Sequence, residues 1–100
     1  MLTCMVIPHY DHVEQFSQAL PALLDCEIPL IVVDDASPAR QFEALKVLVD
    51  RHQDRITVVR HEHNQGKGGA VMTGLRTAYQ KGFTHAVQVD ADGQHDLAAI

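Results

Sequence analysis

A chain of 100 residues supports one small domain, burying roughly 60–70% of the surface that its unfolded form exposes. Its 46% apolar and 21% charged residues are an ordinary globular composition, and a net charge of −5 without a basic cluster argues against a nucleic-acid partner. The longest apolar run, 28–33, is broken by Pro29 and is far short of the ~20 residues of a membrane span.

Met1-Leu2-Thr3 has no basic segment of the kind that opens a secretory signal and leads straight into an apolar run. Cys4 and Cys26 form no C-x-x-C pair, so both are read as buried thiols in a reducing, cytoplasmic setting. Residues 2–7 read as a strand buried on both faces, ended by Pro8, with His9 to His12 as a polar loop. From His12 the period changes. Val13, Phe16, Leu20, Leu23 and Leu24 share one helical face, and Pro21 is expected to kink or divide that helix.

A second strand, 30–33, ends in Asp34-Asp35. Ser37 is placed as N-cap and Pro38 as first residue of a helix marked by Phe42, Leu45, Leu48, Val49 and His52. The third strand, 56–60, is more polar at its ends and is expected at a sheet edge. The Gly-rich stretch 61–69 leads into a third helix, where Ala70, Gly74 and Ala78 recur every four residues as a ridge that permits close approach to the sheet or a ligand. Gly82 is its stop signal. Strand four, 84–89, ends in Asp90-Ala91-Asp92-Gly93, and Asp96 is read as the cap of a fourth helix cut short at Ile100.

Strand–helix alternation of this kind predicts an α/β domain over 1–100. It has a parallel sheet, right-handed crossovers and helices on both faces. Ligands of such sheets bind at the carboxyl ends of the strands, and every polar cluster here follows a strand. Asp34 and Asp35 are adjacent and so face opposite ways; at most one is expected in the cleft, the other bonding amides or capping the turn. Asp90 and Asp92, spaced i, i+2, can face the same side, where their mutual repulsion favours a hard cation, Mg²⁺ or Mn²⁺. Gly66 to Gly69 offer amides at a helix N-terminus, a place that favours anions, with Lys67 adding charge; the spacing is not that of a P-loop. His61 and His63 lack acidic partners nearby in sequence, and no zinc site can be assembled. His95, three residues past Asp92, is the one histidine near the acidic pair.

Together Ile7-Pro8-His9-Tyr10-Asp11, Val32-Val33-Asp34-Asp35-Ala36-Ser37, Asn64 to Ala70 and Asp90 to Gln94 resemble family-2 glycosyltransferases of the GT-A fold, nearest the polyprenyl- or dolichol-phosphate sugar synthases. The resemblance implies a Rossmann-like sheet in the order 3-2-1-4, incomplete at its C-terminus. It implies a nucleoside-diphosphate sugar donor, with Pro8 and Tyr10 lining the nucleoside pocket and Asp35 on the base. Asp90 and Asp92 would hold the ribose and the metal-bound diphosphate, and Gly66 and Lys67 of the Gly-rich loop, read above as an anion site, are counted with Asp90 among the nucleotide contacts. The implied reaction is inverting sugar transfer, with polyprenyl phosphate as a candidate acceptor. A longer form would work at the cytoplasmic membrane face. Asp11-His12 and Ala36 depart from the family pattern, which usually has Asn-Glu and Gly or Asn there. The family's acceptor half and base lie downstream of Asp92, so the base is not identified and this chain alone is expected to be inactive. The competing reading is a non-catalytic sugar-nucleotide-binding or interaction module. Strand four is expected to be an open edge, through which the chain would self-associate.

Overall fold

The computed structural model describes residues 2–90 and the backbone of 95–99. The elements in chain order are β1 (Thr3–His9), α1 (Val13–Asp25), β2 (Leu30–Asp34), α2 (Ala39–Val49) with a 3₁₀ turn behind it, β3 (Ile56–Arg60), α3 (Gly66–Gln80), β4 (His85–Val89) and β5 (His95–Ala99). They form one sheet in the order β3-β2-β1-β4-β5. The first four strands are parallel, as expected, and β3 lies at an edge.

Side-chain alternation divides the core in two. Met5, Ile7, Leu30, Val32, Ile56 and Val89 point to one face, where Phe16, Leu20 and Leu23 of α1 and Leu45 and Val49 of α2 cover them. Cys4, Val6, Ile31, Val33 and Ala86 point to the other, under Ala70 and Ala78 of α3. The ridge of small residues on α3 is buried as predicted, at Ala70, Gly74 and Ala78. A Cβ on Gly74 would overlap Val6 Cγ1, so the helix axis lies too close to β1 for any larger residue there.

Several expectations are corrected. Pro8 does not end β1; the strand runs on to His9, with Pro8 opposite Val33. The amide of Met5 donates to Pro29 and the carbonyl of His9 accepts from Asp35, so odd-numbered residues of β1 bond toward β2. Pro8 therefore turns its missing donor toward β4, where the ladder has already ended at Val6 opposite Gln88. Pro21 does not divide α1, which is continuous. Pro21 and Ser17 are both exposed, so water can take the carbonyl that loses its partner. Ser37 is not the cap of α2; Pro38 occupies that position, and the Ser37 hydroxyl bonds Asp34 instead. Cys4 is buried, and burial pushes its thiol up to about 11, but Cys26 at the end of α1 is exposed.

The largest correction is at β4. Residues 95–99 form no helix; they add β5, antiparallel, with His95 opposite Val89 and Ala99 opposite His85. One helical turn returns little for the cost of nucleating it, whereas pairing satisfies the backbone groups along β4. The edge through which self-association was expected is covered.

Candidate functional site

The same alternation sorts the rim. Asp34 continues the α1–α2 side of β2, and Asp35 turns to the α3 side. The two do face opposite ways, and each has its own set of donors. Asp34 is fully buried. Its Oδ1 accepts from Ser37 Oγ at 2.7 Å and pairs with His9 Nδ1 at 2.9 Å, and its Oδ2 accepts from the Ser37 amide at 3.1 Å. Arg60 Nε lies 3.6 Å from Oδ2, and its guanidinium stacks on Phe42 at 4.0 Å. Burial alone would raise the Asp34 pKa; the bonds from His9 and Ser37 and the His9 charge outweigh it and hold the carboxyl below its usual 3.8. Ser37 Oγ also accepts from the Asp11 amide at 2.9 Å, which ties the loop after β1 to the turn after β2.

Asp35 is the anchor of the Gly-rich segment. Its Oδ1 accepts from the Gln65 amide at 2.8 Å and from His61 Nδ1 at 2.8 Å. Its Oδ2 accepts from the Gly66 amide at 2.8 Å. The amides at the start of α3 favour an anion, as expected, and the anion that takes two of them is this carboxylate. Gly66 sits at φ +82°, a backbone conformation that suits glycine. His61 is buried, and its Nε2 pairs with Thr73 Oγ1 of α3 at 2.7 Å. Its acidic partner is 26 positions away in sequence, which is why proximity along the chain did not reveal it. Register does: Asp34 pairs with Arg60, so the next residues, Asp35 and His61, share the α3 side.

A cavity of about 490 Å³ opens at this end of the sheet. Pro8, Tyr10, Asp35, Lys67 and Asp90, five of the predicted site residues, line it. Gly66 does not, because its amide is turned to Asp35. The lining also includes residues that the sequence did not assign to the site: His9, His12, and Gln15 of α1, together with Ala70 of the small-residue ridge on α3. Gln15 and His12 are the exposed side of an amphipathic helix start, and His9 was hidden by the apparent stop at Pro8. His9 Nε2 is buried with no hydrogen-bond partner.

Lys67 Nζ bonds Asp90 Oδ1 at 2.7 Å, and both residues line this cavity. Asp90 is about a third exposed, so one carboxylate of the predicted metal pair faces the open space. Asp92 lies outside the described residues, as does the side chain of His95. Among the described residues no three metal-ligating side chains cluster. The carboxylate oxygen that Asp90 offers to the cavity is a donor of the kind that Mg²⁺ and Mn²⁺ accept. No helix among the described residues is long and apolar enough to cross a membrane.

Known proteins resemble this chain in sequence and in fold. The chain is 31% identical to a UDP-N-acetylglucosamine–dolichyl-phosphate N-acetylglucosaminyltransferase of Methanococcus voltae, over 99% of its own length and 45% of the relative's. It is 31% identical to an undecaprenyl-phosphate mannosyltransferase of Micrococcus luteus, over 95% and 40% respectively. It thus spans less than half the length of these relatives. Among solved structures, the mannosyltransferase PcManGT of Pyrobaculum calidifontis, in complex with GDP-Man and Mn²⁺, superposes with a TM-score of 0.76 at 25% identity, over 90% of this chain and 27% of that one. The fold is also that of GalNAc-T7, with a TM-score of 0.77 at 17% identity, over 91% of this chain and 18% of that one. The family model "Glycosyl transferase family 2" matches residues 4–100, from the second residue of β1 onward, and the chain belongs to that family.

Proposed function

We propose that this chain forms the donor site of an inverting glycosyltransferase that takes a nucleoside-diphosphate sugar and transfers the sugar to a polyprenyl phosphate at the cytoplasmic membrane face. The observation that carries the reading is the convergence of Pro8, Tyr10, Asp35, Lys67 and Asp90, from four separate parts of the sequence, on one cavity of about 490 Å³. Pro8 and Tyr10 form an apolar and aromatic wall for the nucleoside, Asp35 accepts a hydrogen bond from the base, and Lys67 and Asp90 lie where the diphosphate would rest. Asp90, with Asp92, would hold a divalent cation, which when bound offsets the charge that develops on the departing diphosphate. Lys67 contributes a second cation, exchanging its bond to Asp90 for a phosphate oxygen. Acceptor activation is assigned to residues beyond this chain: of its described carboxylates on the cavity, Asp35 is engaged with three donors and Asp90 with Lys67.

Calorimetric titration with nucleoside diphosphates, with and without Mn²⁺, tests the reading. Affinity is expected to rise on adding Mn²⁺, and Asp90→Asn or Asp92→Asn to remove most of that gain. Metal-independent binding, unchanged in both variants, would sink the metal assignment. The alternative, a module that binds sugar nucleotides without turnover, is separated by a transfer assay on polyprenyl phosphate with a form of the protein as long as its relatives.

A further inference from the structure

The bonding of Asp35 has a consequence for which base the cavity accepts, provided that Asp35 is the base contact proposed above. A carboxylate offers about four acceptor positions, two on each oxygen. Three are taken: both on Oδ1, by the Gln65 amide and His61 Nδ1, and one on Oδ2, by the Gly66 amide. The Asp35 side chain is 4% exposed and His61 6%, so water does not exchange freely with these partners. His61 is itself held from behind by Thr73 Oγ1, a hydroxyl that can donate to a neutral ring or accept from a charged one. The imidazole thus stays in place in either state.

We propose that His61 is a specificity-determining residue: by filling the second position of Oδ1 it leaves Asp35 able to accept from one donor only, so the site takes the diphosphate sugar of a pyrimidine with an imide N–H, of which uridine is the example tested, and not that of guanosine or cytidine. Uracil presents a single imide N–H between two carbonyls, which one Oδ2 position satisfies. Guanine presents N1–H and the N2 amine side by side, a pair that needs a free position on each carboxylate oxygen. One of its donors would meet an oxygen that is already filled. Cytosine has a lone pair at N3 and would set it against the carboxylate. A site built for one N–H discriminates through the polar group that a wrong base leaves unpaired.

The test is titration calorimetry of the chain with UDP, GDP and CDP in the presence of Mn²⁺, with thermal unfolding of each variant to show that it is folded. UDP is expected to bind on the order of tenfold or more tightly than either competitor. His61→Leu frees the Oδ1 position and should bring the UDP-to-GDP ratio toward one. His61→Asn, which keeps an N–H near the place of Nδ1, should preserve the ratio. If the leucine variant does not fold, Thr73→Val loosens the same ring and carries the comparison. GDP binding as tightly as UDP to the unaltered chain would overturn the specificity while leaving the donor site standing. A ratio unchanged in a folded His61→Leu or Thr73→Val variant would overturn the role of His61. No binding of any nucleotide would remove the donor-site reading and this inference together.

Discussion

Asp34 carries its charge with no exposure to water, and what makes that tolerable is three short bonds from His9 and Ser37. Its folded pKa lies below the ordinary value, so its stabilisation is complete above about pH 4 and is lost as pH falls through the folded pKa. Asp34→Asn is therefore expected to cost about 1.5–3 kcal/mol at pH 7, by denaturant unfolding, with the gap to the unaltered chain narrowing at pH 3. An equal gap at both values would mean that the carboxylate charge does no stabilising work. Two residues on, Ala36 sits at φ +65°, in the left-handed region that disfavours a Cβ. Its penalty of about 1–2 kcal/mol exceeds the entropy that glycine adds to the unfolded chain, about 0.4–1 kcal/mol. Ala36→Gly should raise the melting temperature, although it adds a glycine; a lower value would show that the turn tolerates alanine without strain.

At the scale of elements, α3 shows how one residue type serves opposite ends in a single helix. Gly74 faces the sheet, and a methyl group there would collide with Val6 and press on Val33. Overpacking of that kind costs about 1–3 kcal/mol, more than the gain of about 0.8–1 kcal/mol in helix propensity. Gly68, in the first turn, has open space where its Cβ would be. Gly74→Ala is expected to destabilise the chain, and Gly68→Ala to stabilise it by about 0.5–1 kcal/mol, in parallel urea unfolding. The same sign for both would mean that the close approach of α3 to β1 relaxes at little cost. Gly82, at φ +91°, stops the helix as its position in the sequence suggested, with the Phe83 amide returning to Ala78.

Over the whole molecule, the parallel order β3-β2-β1-β4 brings four loops to one rim, and β5 covers β4 and becomes the outer strand on that side. The two edge strands, β3 and β5, are each five residues long, and β3 ends in the exposed Arg60, features that discourage pairing between chains. The full chain is expected to sediment as a monomer, whereas a chain ending at Gln94 exposes the β4 edge and should associate with rising concentration. Sedimentation of the two side by side decides this, and identical behaviour would show that β5 does not protect the edge.

The elements were legible in the sequence because their signals are local. A run of β-branched residues, a helical period in α1 and α2, small residues every four positions in α3 and a glycine at its end each depend on residues within a turn or two. The location of the site at the rim followed from the alternation of strands and helices, since a parallel sheet gathers its strand ends. Partnerships across the sheet were not legible. His9 and Asp34, or His61 and Asp35, are some 25 positions apart and meet only through the register of neighbouring strands. Ser37 had the right chemistry for a helix cap, but a buried carboxylate three residues earlier competed for its hydroxyl and prevailed. Residues 95–99 had too little chain for their own pattern to decide between helix and strand; the unpaired backbone of β4 beside them decided it.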